Sequence, residues 1–143
     1  MTVFVAYLPS PEGRAALGAG VAEARLRGRP LHVASVLTHE VGESPTQAKR
    51  DMQASEATEQ HLDRIADELR SEGLEVTVGL LHGQLGEVTG QLLEAIRTAR
   101  AELVVVGVRR RSPVGKLVLG SVSRDLLLGA NCPVLAVKAN AGT

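Results

Sequence analysis

The sequence predicts one α/β domain with a five-stranded parallel sheet and helices on both faces of that sheet. Short apolar runs alternate with amphipathic helical patterns along the whole chain, and strict alternation of this kind is typical of a parallel sheet. Most of the apolar runs are continuous, as expected for strands that are covered on both faces. The length of 143 residues suits a single domain, 1–143, which buries roughly two-thirds of its unfolded surface.

The predicted strands are short, bounded runs that are rich in β-branched residues. Three of them are clear, namely Val3–Tyr7, Leu103–Gly107 and Val134–Lys138. Two more, Leu31–Leu37 and Leu74–Leu81, complete the set. All but Leu74–Leu81 are nearly continuous in apolar residues, so we expect them to be buried on both sides.

Four helical patterns lie between these strands. The first begins at Ser10-Pro11-Glu12, where a hydroxyl N-cap, a proline in the first turn and an acid suit a helix start. The longest is predicted to run from about Thr46 to Ser71 and to stop at Gly73. The last two carry apolar stripes, which are Val88, Leu92, Ile96 and Ala99 in the third helix and Val122, Leu126 and Leu127 in the fourth, from about Gly120 to Gly129.

This order of elements indicates where a ligand would bind. Crossovers between parallel strands are right-handed, which leaves few topologies. In one of them the chain starts in the centre of the sheet, winds outward one way, and then returns to wind outward the other way. Ligands of such sheets bind beyond the carboxyl ends of the strands where the winding reverses. Here that place lies between the loops after the first and fourth predicted strands.

Composition argues against several classes of partner. Sixteen basic residues balance sixteen acidic ones, and Phe4 and Tyr7 are the only aromatic residues, so nucleic-acid binding is not expected. The single cysteine, Cys132, excludes an internal disulfide, and no histidine, cysteine or carboxylate group has the spacing of a metal site. Without a spanning apolar run or a signal-peptide pattern, we expect a cytoplasmic protein with no membrane partner.

The strongest candidate site is the segment from Gly107 to Ser121. A buried strand is predicted to end at Gly107, a loop rich in Arg, Gly and Pro follows, and Gly120-Ser121 opens a helix. Helix N-termini bind phosphate through unpaired N–H groups and the positive end of the dipole. The Ser121 hydroxyl can cap the helix or donate to a phosphate, and Arg109 and Arg110 can add charge-assisted contacts. The alternative is an ordinary strand-to-helix connection with a solvated loop.

The same segment resembles the carboxyl-terminal signature of universal stress proteins. Nucleotide-binding members carry Gly, two residues, Gly, nine residues, and then Gly-Ser or Gly-Thr. The resemblance continues from Gly107 through Asn131-Cys132-Pro133-Val134-Leu135-Ala136-Val137-Lys138. At the other end of the chain, Ser10-Pro11-Glu12-Gly13-Arg14-Ala15-Ala16-Leu17 is similar to the first turn and helix of the family, and the order of elements also fits.

The resemblance implies a Rossmann-like, five-stranded parallel sheet of order 3-2-1-4-5. It also implies a homodimer, made in many members by antiparallel pairing of the last strands, here Val134–Lys138. In one branch it implies ATP or another adenine nucleotide at the switch point, with Mg²⁺ only if the nucleotide carries it. The phosphates would then lie on backbone groups of Gly107, Gly120, Ser121 and Val122. No general base is evident, so any hydrolysis would be slow and the role would be sensing or signalling.

Two positions depart from the nucleotide-binding pattern. Arg110 stands where the family has its second glycine, and its side chain either swings out to contact a phosphate or occupies the site itself. Leu8 stands at the end of the first strand, where nucleotide-binding members have an aspartate. A leucine cannot accept a hydrogen bond from adenine, so specificity must come from backbone groups, for instance around Val36.

The sequence therefore leaves two functions open. In the first, an adenine nucleotide binds at the switch point, and Gly83 contributes as the family's glycine near the ribose and phosphates. In the second, Arg110 and Leu8 close the site, and the protein acts through dimerisation and protein partners. The neighbouring His82 could contact a ligand, but a lone histidine at a strand end is more often an ordinary surface residue.

Overall fold

The fold is given by a computed structural model of the chain. It describes residues 1–39, 42, 44–111, 116–118 and 120–139, without the side chains of residues 85, 110, 111 and 116–118. The described residues form, in chain order, β1 (Thr2–Ala6), α1 (Pro11–Arg27), β2 (Leu31–Thr38), α2 (Pro45–Ser71), β3 (Val76–Gly83), α3 (Leu85–Thr98), β4 (Ala101–Arg111), β5 (Lys116–Val118), α4 (Ser121–Gly129) and β6 (Val134–Lys138).

The parallel strands lie in the order β3-β2-β1-β4-β6. Counted without the short antiparallel strand β5, this is the order 3-2-1-4-5, so the predicted fold class is confirmed. The chain starts in the centre of the sheet, where Val5 of β1 lies between Val33 of β2 and Val105 of β4. The winding reverses between β1 and β4, which is the switch point that the order of elements predicts.

Two hydrophobic cores cover the two faces of the sheet, because successive residues of a strand point to opposite faces. On one face Val3 and Val5 of β1 pack with α1 and α2, and on the other Phe4 packs with α3 and α4. The helical residues buried in these cores are Ala16, Ala24, Leu62 and Ala66 on the first face and Leu92, Ile96 and Leu126 on the second. Among the described residues, no helix is both long enough and apolar enough to cross a membrane.

Several strand boundaries differ from the prediction, and two of the differences have a clear physical cause. The third strand begins at Val76, because the preceding residues complete the end of α2: Gly73 has a φ of 89°, and the N–H of Leu74 donates to the carbonyl of Leu69 at 3.1 Å. A glycine in the left-handed region, followed by a residue whose N–H donates back to a carbonyl of the last helical turn, is a common way to end a helix. Gly73 is therefore the helix stop that the sequence indicates, but Leu74 belongs to the stop and not to the strand.

The fourth strand also continues beyond its predicted end at Gly107. It runs to Arg111 and pairs antiparallel with β5, with Arg109 opposite Val118. The predicted loop is therefore a β-hairpin, whose residues 112–115 lie outside the described part of the chain. The hydrogen bonds to β5 allow β4 to extend past the parallel sheet. The sequence does not indicate this extension, because the segment after Gly107 is rich in Arg, Pro and Gly, which are typical of a loop.

Candidate functional site

A cleft with a volume of ≈ 80 Å³ opens at the carboxyl edge of the sheet, at the switch point between β1 and β4. Three strands, the first turn of α1 and the helices α3 and α4 contribute to its walls. Most of the wall is apolar, which suits a flat, weakly polar group such as a nucleobase. The lining residues are Ala6, Tyr7, Leu8, Ser10, Glu12, Gly13, Ala34, Val36, Leu92, Gly107, Val122 and Ser123.

The first turn of α1 lies very close to β4 and to the turn after β1. Ser10 is the N-cap, and its Oγ accepts a hydrogen bond from the N–H of Gly13 at 3.1 Å, as the sequence predicts. A Cβ at Gly107 would overlap the carbonyl oxygen of Glu12, and a Cβ at Gly13 would overlap the carbonyl oxygen of Leu8. Gly107 is thus required for packing of α1 on β4, a reason that the sequence pattern does not reveal.

The end of β1 is held by a set of hydrogen bonds around Tyr7. Its N–H donates to the carbonyl of Ala34 at 2.8 Å, and its carbonyl accepts from the Ser35 hydroxyl at 2.7 Å. Its buried phenol lies 2.7 Å from Nε2 of His61 on α2, and the two rings stack. Burial raises the pKa of the Tyr7 phenol. The neighbouring Leu8 is 51% exposed at the mouth of the cleft.

An ion pair joins two walls of the cleft. Nη2 of Arg109 on β4 lies 2.9 Å from Oε1 of Glu12 on α1, and the Glu12 side chain is 20% exposed against 67% for Arg109. The pKa of the Glu12 carboxyl is lowered by the hydrogen bond from its own backbone N–H and by Arg109. Glu12 is therefore ionised at neutral pH, and it holds the guanidinium that the sequence assigns to a phosphate.

The N-terminus of α4 forms the remaining wall. Gly120 is the N-cap, and no side chain of the described residues caps the helix there. A Cβ at Gly120 would meet open space, so packing does not require a glycine at this position. Val122 and Ser123 line the cleft, and the Ser123 hydroxyl donates to the carbonyl of Gly107 at 3.4 Å. An uncapped first turn with free N–H groups can accept an anion.

Most of the predicted site residues meet at this cleft. Four of them, Leu8, Val36, Gly107 and Val122, line the cleft. Arg109 contacts the wall through its ion pair with Glu12. Gly120 and Ser121 directly precede Val122 at the start of α4. Gly83 lies elsewhere on the same edge, where its carbonyl accepts from the N–H of His39 at 3.1 Å, and it does not line the cleft. The side chain of Arg110 lies outside the described residues, so its predicted role stays a prediction.

Sequence reasoning missed several lining residues. The sequence indicates Glu12 as an acid at a helix start, and the distance of 97 residues to Arg109 along the chain conceals the ion pair. Ala34 and Leu92 carry no signal beyond that of core residues. Ser123 lies two residues after the predicted Ser121, and the sequence points to it only through the two serines at this helix start.

A second, smaller cavity of ≈ 50 Å³ lies between α2 and the ends of β2 and β3. His39, Asp51 and His82 are among its lining residues, and Nε2 of His82 lies 3.3 Å from the Ser55 hydroxyl. Within the described part of the chain, no group of three or more histidine, cysteine or carboxylate side chains could hold a metal ion. Burial raises the pKa of the Cys132 thiol, which disfavours the reactive thiolate.

A model of the universal stress protein family matches residues 1–138. The chain belongs to the universal stress protein family. The family that the sequence resemblance indicates is therefore confirmed.

Relatives of this universal stress protein are similar over nearly their whole length. A universal stress protein of Mycolicibacterium smegmatis is 36% identical over 136 residues, which cover 95% of this chain and 96% of the relative. The structure of a universal stress protein from Archaeoglobus fulgidus is 31% identical with a TM-score of 0.71, covering 96% of this chain and 97% of that one. A universal stress protein from the same organism, described in complex with dAMP, is 26% identical with a TM-score of 0.65 and covers 96% of each chain.

Proposed function

We propose that this universal stress protein binds an adenine nucleotide in the cleft between β1 and β4. The observation that carries the proposal is the position of an apolar cleft directly beside the uncapped N-terminus of α4. The apolar wall suits the base, and the first turn of α4 suits a phosphate. The archaeal relative in complex with dAMP supports an adenine ligand. Mg²⁺ would enter only with the nucleotide, and we expect the protein to act in the cytoplasm in sensing or signalling.

The base would lie against Val36 and Leu8. In β2, the carbonyl of Ala34 accepts from Tyr7, so it points toward β1. Alternate residues of a parallel strand direct their backbone groups to the same neighbour, and the backbone groups of Val36 therefore point to the side where β1 has already ended at Ala6. These groups can hydrogen-bond to the edge of an adenine, while the Leu8 side chain packs on its face.

Titration calorimetry with AMP and ATP tests this proposal. Gly120→Val places a branched side chain over the first turn of α4, where there is space for it, so the fold should persist while phosphate access is lost. We expect the affinity for AMP to fall about tenfold, since the helix N-terminus no longer reaches the phosphate. Ser121→Ala should lower it less, because only one hydroxyl contact is removed.

The matched control is Gly18→Val, which changes an exposed glycine of α1 whose Cβ would also meet open space. Its affinity for AMP should equal that of the wild type. An absence of binding heat at millimolar AMP and ATP in the wild type would rule the proposal out. In that case the alternative stands, in which the protein acts through dimerisation and protein partners.

We also propose that the protein forms a homodimer through β6. Among the described residues, β6 pairs with β4 alone and is therefore an edge strand of the parallel sheet. An edge strand presents a row of backbone groups that can pair with another chain. The five residues of β6 are all exposed or half-buried, and Leu128 of the neighbouring α4 is 81% exposed. An antiparallel partner strand would pair with the free edge of β6.

A further inference from the structure

Glu12 is the only charged side chain on the part of the cleft wall that the structure describes. It lies in the first turn of α1, where the positive end of the helix dipole favours an anion. Its carboxylate pairs with Arg109 at 2.9 Å. A negative charge of the protein thus occupies a position that a phosphate group would otherwise find attractive.

The ion pair leaves the Arg109 guanidinium engaged. A phosphate that binds Arg109 has to displace the Glu12 carboxylate or lie beside it. Lying beside it is unfavourable because like charges repel, and the Glu12 side chain, which is 20% exposed, is only partly screened by solvent. The penalty grows with the number of phosphates, since AMP carries about two negative charges and ATP carries more. A neutral nucleoside avoids the penalty altogether.

We propose that Glu12 makes this cleft select adenine ligands that carry few phosphate charges, nucleosides and nucleoside monophosphates, over ATP. The inference rests on the proposed function, because it names the ligand class of the same cleft. Arg109 has the complementary part: it neutralises Glu12 in the free protein, and its charge is fully available to a phosphate when the Glu12 carboxylate is removed or displaced.

The experiment compares adenosine, AMP and ATP by titration calorimetry in the wild type and in Glu12→Gln. In the wild type, we expect ATP to bind more weakly than AMP. In Glu12→Gln, the affinity for ATP should rise about tenfold, and the affinity for adenosine should stay within about twofold. The matched control is Glu23→Gln, which removes another carboxylate of α1 that pairs with Arg27 instead. It should change none of the three affinities.

A double variant tests the part assigned to Arg109. If the gain in Glu12→Gln comes from the freed guanidinium, Glu12→Gln combined with Arg109→Gln should bind ATP at least fivefold more weakly than Glu12→Gln alone. The gain should also shrink as the salt concentration rises, because screening weakens the contact between Arg109 and the phosphates. Adenosine binding should respond to neither change.

The outcomes separate this inference from the proposed function. Binding of ATP to the wild type as tightly as AMP, or an unchanged ratio of ATP to AMP affinity in Glu12→Gln, overturns the inference and leaves adenine binding intact. An absence of binding by all three ligands in every variant overturns the proposed function and the inference together. Equal gains for adenosine and ATP in Glu12→Gln would show that Glu12 acts on the shape of the cleft and would also contradict the inference.

Discussion

The contact between Tyr7 and His61 connects the end of β1 to a helix that does not line the cleft. The phenol is buried and its oxygen lies 2.7 Å from Nε2 of His61. A buried polar group that loses its hydrogen-bond partner lowers the free energy of unfolding. Replacing either Tyr7 or His61 would therefore leave the other without a partner. The pair fixes the position of α2 relative to the strand end from which Leu8 reaches the mouth of the cleft.

Tyr7→Phe should lower the free energy of unfolding by about 1 kcal/mol at neutral pH, because one hydrogen bond is lost. It should also change the response to alkali. Burial raises the pKa of the Tyr7 phenol above its ordinary value of about 10. The unfolded chain therefore releases this proton first as the pH rises, and the wild type loses stability above about pH 10.

The measurement is urea unfolding at neutral pH and at several pH values above 9. Stability of the variant should fall less steeply with pH than that of the wild type. A parallel decline in the two proteins would show that the phenol does not ionise with a raised pKa. Thr58→Ala is the control, since it removes a hydroxyl of α2 that, among the described residues, bonds within its own helix to the carbonyl of Ala54.

At the scale of elements, the packing of α1 on β4 depends on Gly107. Strand β4 crosses directly beside the first turn of the helix, and the carbonyl oxygen of Glu12 occupies the space that a Cβ at Gly107 would need. Because that oxygen belongs to the backbone of a capped helix turn, it cannot move aside without disturbing the Ser10 cap. The same contact brings Glu12 within reach of Arg109, two residues further along β4.

Gly107→Ala should lower the free energy of unfolding by about 2 kcal/mol or more, as expected when a side chain is forced into a filled space. Chemical denaturation of the wild type and the variant measures this loss. The control is Gly18→Ala, an exposed glycine within α1, which should raise stability by about 0.5–1 kcal/mol through helix propensity. A Gly107→Ala protein as stable as the wild type would contradict the packing interpretation.

Local structure follows from the sequence, whereas contacts between distant parts of the chain do not. The alternation of strands and helices and the Ser10 cap follow from local patterns, in which apolar period and capping residues act over a few residues. The strand order 3-2-1-4-5 is implied by the resemblance to universal stress proteins and does not follow from those patterns alone. The β4–β5 hairpin is not predicted from the sequence, because its Arg, Pro and Gly residues are more typical of a loop than of a strand. The contact of Glu12 with Arg109 and that of Tyr7 with His61 join distant parts of the chain, and only the folded sheet brings them together.

For the whole molecule, the proposed assembly depends on the outer side of β6. Val104 donates to the carbonyl of Pro133 at 3.0 Å, so alternate residues from Pro133 onward face β4, and the N–H of Ala136 faces away from it. Ala136 is exposed in the single chain. Its N–H is therefore a donor that an antiparallel partner strand would use.

Ala136→Pro removes this donor and should convert the proposed dimer into a monomer, because proline is tolerated on an edge strand but cannot pair there. Sedimentation velocity over a range of protein concentrations reports the change. Ala136→Ser keeps the N–H and should remain dimeric. A wild type that sediments as a monomer at all concentrations, or a proline variant that stays dimeric, would argue against assembly through β6.

Assembly through β6 has a geometric consequence for the clefts. Antiparallel pairing reverses the second sheet, so the carboxyl edges of the two protomers face opposite ends of the assembly. The ends of the five-residue strand β6 are about 17 Å apart, which exceeds the screening length of roughly 8 Å at physiological ionic strength. Two bound ligands would then hardly sense each other's phosphate charge, and each cleft would remain open to solvent on its own side.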